Sequence, residues 1–179
     1  MEQLGSIFST APTLVTWILV YIVAQRLVEL VYANRNTKRL LADGGEEFGA
    51  DHYHWFIILH SAWLVVIFLM VDPLRPVAPL MLALFIGTQL LRIWTLASIG
   101  RWWTTRIISA PHFDRVQRGP YRFIPHPNYV VVVLEIAIVP LMLGLPWVAL
   151  LFSILNAILL RHRIGVENQV LQGRGASET

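Results

Sequence analysis

Five long apolar runs, at about Pro12–Ala33, His54–Val71, Val77–Ile99, Tyr129–Leu143 and Trp147–Leu160, leave this chain few ways to fold in water. The first three are close to the ~20 residues that a helix needs to cross a hydrocarbon core. Backbone amides in lipid must bond within their own segment, so such runs read as helices. Composition agrees: 56% of the 179 residues are hydrophobic and only 14% are charged, less charge than a soluble domain carries. The expected fold is all-α, an integral membrane bundle of five transmembrane helices in a single domain spanning residues 1–179. The last two runs are short and separated only by Gly144-Leu145-Pro146, which predicts a tight hairpin. Pro140 removes a backbone donor and is expected to kink the fourth helix or end it early.

Charge placement chooses an orientation. Arg35, Lys38 and Arg39 follow the first run, and Arg101, Arg106, Arg115, Arg118 and Arg122 separate the third from the fourth. Arg161, Arg163 and Arg174 follow the fifth, whereas only Arg75 lies on the opposite side. Eleven cations against one predict an N-terminus outside, with the long loops and the tail in the cytoplasm. No basic n-region precedes the first run, so a cleaved secretory signal is not expected. The tail beyond Gln172 is expected to lack order.

Several chemistries are excluded. The chain has no cysteine, which removes disulfides, a thiolate nucleophile and Cys-ligated metals. Its histidines (His52, His54, His60, His112, His126 and His162) are scattered, with only His52 and His54 close, so no metal centre is expected. There is no strand–helix alternation, nucleotide-binding glycine loop or H-E-x-x-H motif, so soluble dinucleotide-type folds are set aside. No nucleic-acid partner is expected.

The polar residues that remain fall into a few groups. Gly100–Pro127 is long and polar for a connector, is opened by Trp102, Trp103 and Thr104, and is punctuated by Gly119-Pro120 and His126-Pro127. Rigid turns of this kind hold side chains in fixed positions; an interfacial loop of aromatic anchors and headgroup-binding arginines is the plainer reading. Arg163 and Glu167 share a helical face, as a site or as an ordinary ion pair at a membrane exit. Glu135 interrupts a run of valines and isoleucines, where a carboxylate costs roughly 2.5 kcal/mol or more. It is either functional or paired with Arg92 or His60, while Arg26 and Glu29 are expected to satisfy one another. The first polar loop, Gly45–Tyr53, is either a solvated acidic turn or a lid whose Glu47 and His52 face the substrate mouth.

Gly119-x-Tyr121-x4-His126-Pro127-Asn128-Tyr129, followed by Arg163-Ile164-x2-Glu167-x3-Leu171, resembles the isoprenylcysteine carboxyl methyltransferase family. The resemblance is strong over the C-terminal half, and Gly49-x2-His52-Tyr53 looks like a bacterial branch. It implies an integral enzyme of the bacterial inner membrane that uses S-adenosyl-L-methionine. Cofactor-binding elements would occupy residues 100–129 and 161–171. Tyr121, His126, Pro127, Asn128, Tyr129 and Glu167 would bind the cofactor, with Arg106, Arg115 and Val116 adding contacts. Arg163 would be catalytic and would hold the reacting oxygen of a lipophilic substrate arriving from the bilayer. Two departures, Pro125 where the family has arginine and Asn168 where it has a second acid, speak against a prenylcysteine substrate. Some bacterial members O-methylate alkylpyrone-like lipids instead. The acceptor is then a carboxylate or an acidic hydroxyl. A hydroxyl needs a base, for which Glu135, Glu47 and His60 are the candidates. A membrane NADPH-dependent sterol-type reductase and a non-enzymatic membrane protein are the alternatives.

Overall fold

The computed structural model describes residues 12–110, 112–113 and 116–176, with side chains through residue 170. Five helices carry the fold: α1 (Leu14–Ala42), α2 (Ala50–Met70), α3 (Pro79–Ile99), α4 (Pro127–Met142) and α5 (Pro146–Ala176). Their outer faces are apolar. Val28, Phe68, Leu90 and Ile158 are each more than 60% exposed, the inside-out pattern of a protein solvated by lipid. Four helices, all but α4, are long and apolar enough to cross a membrane. At 16 residues, α4 reaches only about 24 Å against a core of about 30 Å. Of the five expected spans, four are thus helices of spanning length, and the fourth run is a shorter apolar helix.

Several predicted boundaries shift. α1 runs past Ala33 to Ala42 because no glycine or proline interrupts it before Gly44. Asn36, in that extension, donates its amide to the Trp103 carbonyl at 2.8 Å. α4 continues through Pro140 and stops at Met142, so the helix ends within one turn of the proline. Gly144 then takes φ 74°, which a side chain rarely adopts. A Cβ there would also lie 2.0 Å from the Arg75 guanidinium carbon. α5 is one unbroken helix to Ala176, so the helix continues past the run that ends at Leu160, and among the described residues the chain stays helical beyond Gln172 as far as Ala176. No proline interrupts the segment, and a Cβ at Gly165 would meet no neighbour.

The all-α expectation needs one amendment. β1 (Glu46–Phe48) pairs antiparallel with β2 (Ile107–Ser109), Glu47 opposite Ile108. This ribbon ties the first polar loop to the segment after α3. The apolar core lies at the other end of the bundle, around Ile22, Trp63, Ile67, Phe85, Ile136 and Val139. A smaller cluster of Leu40, Ala110 and Phe113 lies under the ribbon end. Along α1 the charged positions Arg26 and Glu29 fall between the two.

Candidate active site

The two polar groups that the sequence singles out meet in one place. α4 begins at Pro127 with His126 as its N-cap residue, so proline's fixed φ starts the helix and turns His126 and Tyr129 to the same side. Their rings stack at 5.2 Å. One helix away, α5 brings Arg163 and Glu167 round on a common face. The Tyr129 hydroxyl donates to the Glu167 carboxylate, and Arg163 Nε donates to the Tyr129 oxygen at 3.0 Å. His126 Nε2 lies 3.2 Å from Asn168 Oδ1 and Nδ1 lies 3.7 Å from Glu167. Asn168, where the family pattern has an acid, therefore serves as the histidine's partner.

Arg163 is held by three surfaces. Besides Tyr129, its Nη2 donates to the Thr105 carbonyl at 2.8 Å, and the guanidinium lies 5.2 Å from the centre of the Phe56 ring. Only 8% of the residue is exposed. Nη1 has no protein partner among the described residues, which leaves its two N–H groups for an incoming oxygen. Thr105 is placed by Tyr53, whose hydroxyl meets the Thr105 side-chain oxygen at 2.9 Å.

These groups line a cavity of about 420 Å3, within the range of about 300–1,000 Å3 typical of small-molecule sites. Its outer end is polar: Tyr121, His126, Asn128, Tyr129, Arg163 and Glu167. Its flank is the stripe Phe56, Ile57, His60, Ser61 and Leu64 on α2, and β2 with Trp102 and Trp103 forms another wall. Burial, reinforced by the Glu167 carboxylate, raises the pKa of the Tyr121 hydroxyl above the ordinary phenol value, so the ring stays neutral.

Tyr121 reaches the cavity through Gly119, which opens a tight 3-10 turn with φ 59°. A Cβ there would lie 1.9 Å from Ser98 Oγ. Gly119→Ala combines strain with collision, and is expected to destabilise the fold by about 1–3 kcal/mol. Thermal unfolding in detergent checks this. Unchanged stability would mean that the turn relaxes freely.

Not every expected residue reaches the cavity. Arg106 lines it, stacks over Tyr53 at 4.8 Å and pairs with Glu47 at 2.8 Å. Glu47 itself does not line it; its carboxylate is committed to Arg106. His52 is likewise placed elsewhere, buried beside Asp51 and edge-on to His162 at 4.7 Å. Neither side chain lines this cavity. Pro127 and Val116 are outside the lining, and Arg115 lies outside the described residues. Thr105, Tyr53 and Phe56 belong to the site although the sequence did not single them out for it.

Glu135 takes the paired alternative, with Arg92 as its partner. It is fully buried, does not line the cavity, and accepts from Arg26, Arg92 and, at 2.9 Å, Gln89. Arg92 also donates to both oxygens of Glu29, at 2.8 and 2.7 Å. Arg26 approaches Glu29 only to 3.7 Å, so the expected Arg26–Glu29 pair yields to a four-member network across α1, α3 and α4. Two guanidinium groups balance two carboxylates, the condition under which charge survives in an apolar interior. A catalytic base needs an oxygen free towards the substrate. Both oxygens of Glu135 are engaged by Arg26, Arg92 and Gln89, contacts that link α1, α3 and α4. Among the described residues, no three His, Asp or Glu side chains converge as a metal site would need.

The polar end of the site, contributed by residues 121–129 and 163–167, lies inside the segment that a family model matches. A model of the isoprenylcysteine carboxyl methyltransferase family matches residues 81–173, just over half of the chain. YpbQ of Bacillus subtilis (strain 168), described as an uncharacterized protein, is 35% identical over 161 residues. That alignment covers 87% of this chain and 96% of YpbQ. No solved structure gives a significant match. A family match that takes in α4, α5 and their shared Tyr129–Arg163–Glu167 chain, set in a bundle of membrane-spanning length, identifies this protein as a member of the isoprenylcysteine carboxyl methyltransferase family, and so as an integral membrane methyltransferase.

Proposed function

We propose that this methyltransferase uses S-adenosyl-L-methionine to O-methylate a carboxylate or acidic hydroxyl on a lipophilic molecule, prenylcysteine-like or alkylpyrone-like, that arrives from the bilayer. One observation carries the reading: Arg163 is immobilised by Tyr129 and Thr105 with its Nη1 amino group free to donate, where the polar end of the cavity meets its apolar flank.

The residues at the polar end suit the cofactor. A carboxylate (Glu167), a neutral tyrosine ring (Tyr121) and a stacked His126–Tyr129 pair surround one volume, and aromatic faces with a nearby carboxylate attract a cationic ligand. When bound, S-adenosylmethionine supplies an electrophilic methyl group on a sulfonium sulfur, and its passage to an anionic oxygen cancels both charges. Arg163 orients the acceptor oxygen by charge-assisted hydrogen bonding. Tyr129 and Thr105 keep that donor still, so little motion is needed on reaction. The surrounding apolar wall excludes water. A carboxylate acceptor needs no base. For a hydroxyl acceptor, His60 is the one candidate base of the three that lines the cavity.

The basic excess of Arg35, Lys38, Arg39, Arg101, Arg118 and Arg122 supports a cytoplasmic active-site end and an external N-terminus in the bacterial inner membrane. That side supplies the polar cofactor, and the lipid supplies the acceptor. Calorimetric titration of purified protein with S-adenosylmethionine and, separately, NADPH is the test. The expected result is saturable binding of the first alone; binding of NADPH alone would favour the reductase reading.

Tyr129→Phe deletes the hydroxyl that links Arg163 to Glu167. It is expected to lower kcat about ten- to a hundredfold while folding is retained. Single-turnover transfer of a labelled methyl group measures it, and an unchanged rate would remove Tyr129 from the positioning chain.

A further inference from the structure

Resting on that reading, we propose that the inner end of the cavity is a second polar subsite, which takes a hydroxyl that the acceptor carries about one helical turn from the oxygen to be methylated. α2 sets the spacing. Phe56 faces the Arg163 guanidinium at 5.2 Å, and His60, four residues further on, lies about 6 Å deeper along the helix axis. Both line the same cavity, as do Arg26 and Ser61.

The protonation of His60 follows from its partner. Nδ1 lies 2.8 Å from the Phe56 carbonyl, and a carbonyl only accepts. The proton is therefore on Nδ1 and the lone pair on Nε2. Nε2 has no protein partner among the described residues, and neither has the Ser61 hydroxyl. Arg26 gives one N–H to Glu135 but reaches Glu29 only at 3.7 Å, and its side chain is 20% exposed. Unmet donors and an unmet acceptor thus converge in an apolar bundle, where such groups are costly.

Charge decides what they take. Arg26, Arg92, Glu29 and Glu135 already sum to zero, so a second anion finds no excess cation there. A plain hydrocarbon tail along this wall would strand Nε2 and the Arg26 donors. A neutral hydroxyl satisfies both, donating to Nε2 of His60 and accepting from Arg26 or Ser61.

Purified protein, methyl-tritiated S-adenosylmethionine and a lipid extract from cells lacking the protein form the test system. The labelled product is expected to carry a free hydroxyl in addition to its methylated oxygen. His60→Leu should raise KM for that acceptor about tenfold or more, with affinity for S-adenosylmethionine unchanged. His60→Gln, which restores an accepting oxygen, should recover most of the loss. A labelled product with no other hydroxyl, or an unchanged KM in His60→Leu (a merely hydrated recess), overturns the subsite and leaves the methyltransferase reading standing. Absence of any labelled lipid overturns that reading itself, and the subsite with it.

Discussion

Arg163→Ala is expected to lower methyl transfer by about 10²–10³-fold, the scale on which loss of one fixed donor to a reacting oxygen is felt. Binding of S-adenosylmethionine should change far less, because the polar groups assigned to the cofactor stay in place. Arg163→Lys separates charge from geometry. A lysine keeps the cation but cannot bond Tyr129, Thr105 and an acceptor in one plane, so a partial loss of about tenfold or more is expected. Turnover and calorimetric affinity, measured on the same preparations, distinguish the outcomes. Full turnover in Arg163→Ala would remove this side chain from the chemistry.

The second large effect is on stability. Glu135→Ala leaves Arg26 and Arg92 facing a void with one carboxylate between them. Breaking a buried ion network from one side costs about 3–5 kcal/mol, enough to unfold many domains. Restoring neutrality should soften the loss: in a background of Glu135→Gln, Arg26→Met is expected to be less damaging than it is alone. Thermal unfolding of the four combinations in one detergent measures the coupling. Additive effects would contradict a shared network, as would normal stability of Glu135→Ala with activity abolished, which would return Glu135 to catalysis.

What the sequence disclosed and what it concealed have separate physical causes. Residues 119–129 and 163–167 were legible because turn-forming and ionisable residues stand out at the edges of apolar runs, and the structure joins them through Tyr129. His60 stood out as an imidazole within an apolar run, but the placing of Phe56 against Arg163 did not, because a helix bathed in lipid is apolar all round and its inner face leaves little periodic trace. Thr105 contributes chiefly a backbone carbonyl to Arg163, which no residue type announces. The ribbon Glu46–Phe48 with Ile107–Ser109 is too short for alternation to signal a strand. Glu135 was conspicuous, but conspicuous charge in a membrane fits bracing as well as catalysis. Only its four-member network separates the two.

The most direct test of the whole account is the affinity of purified protein for S-adenosylmethionine, compared between the native chain and Glu167→Ala. If the α4 turn and the end of α5 form one cofactor pocket, the native protein binds saturably, one molecule per chain, and Glu167→Ala weakens that binding about tenfold or more through loss of a charged partner. No binding by the native chain, or equal affinity in both, would contradict it.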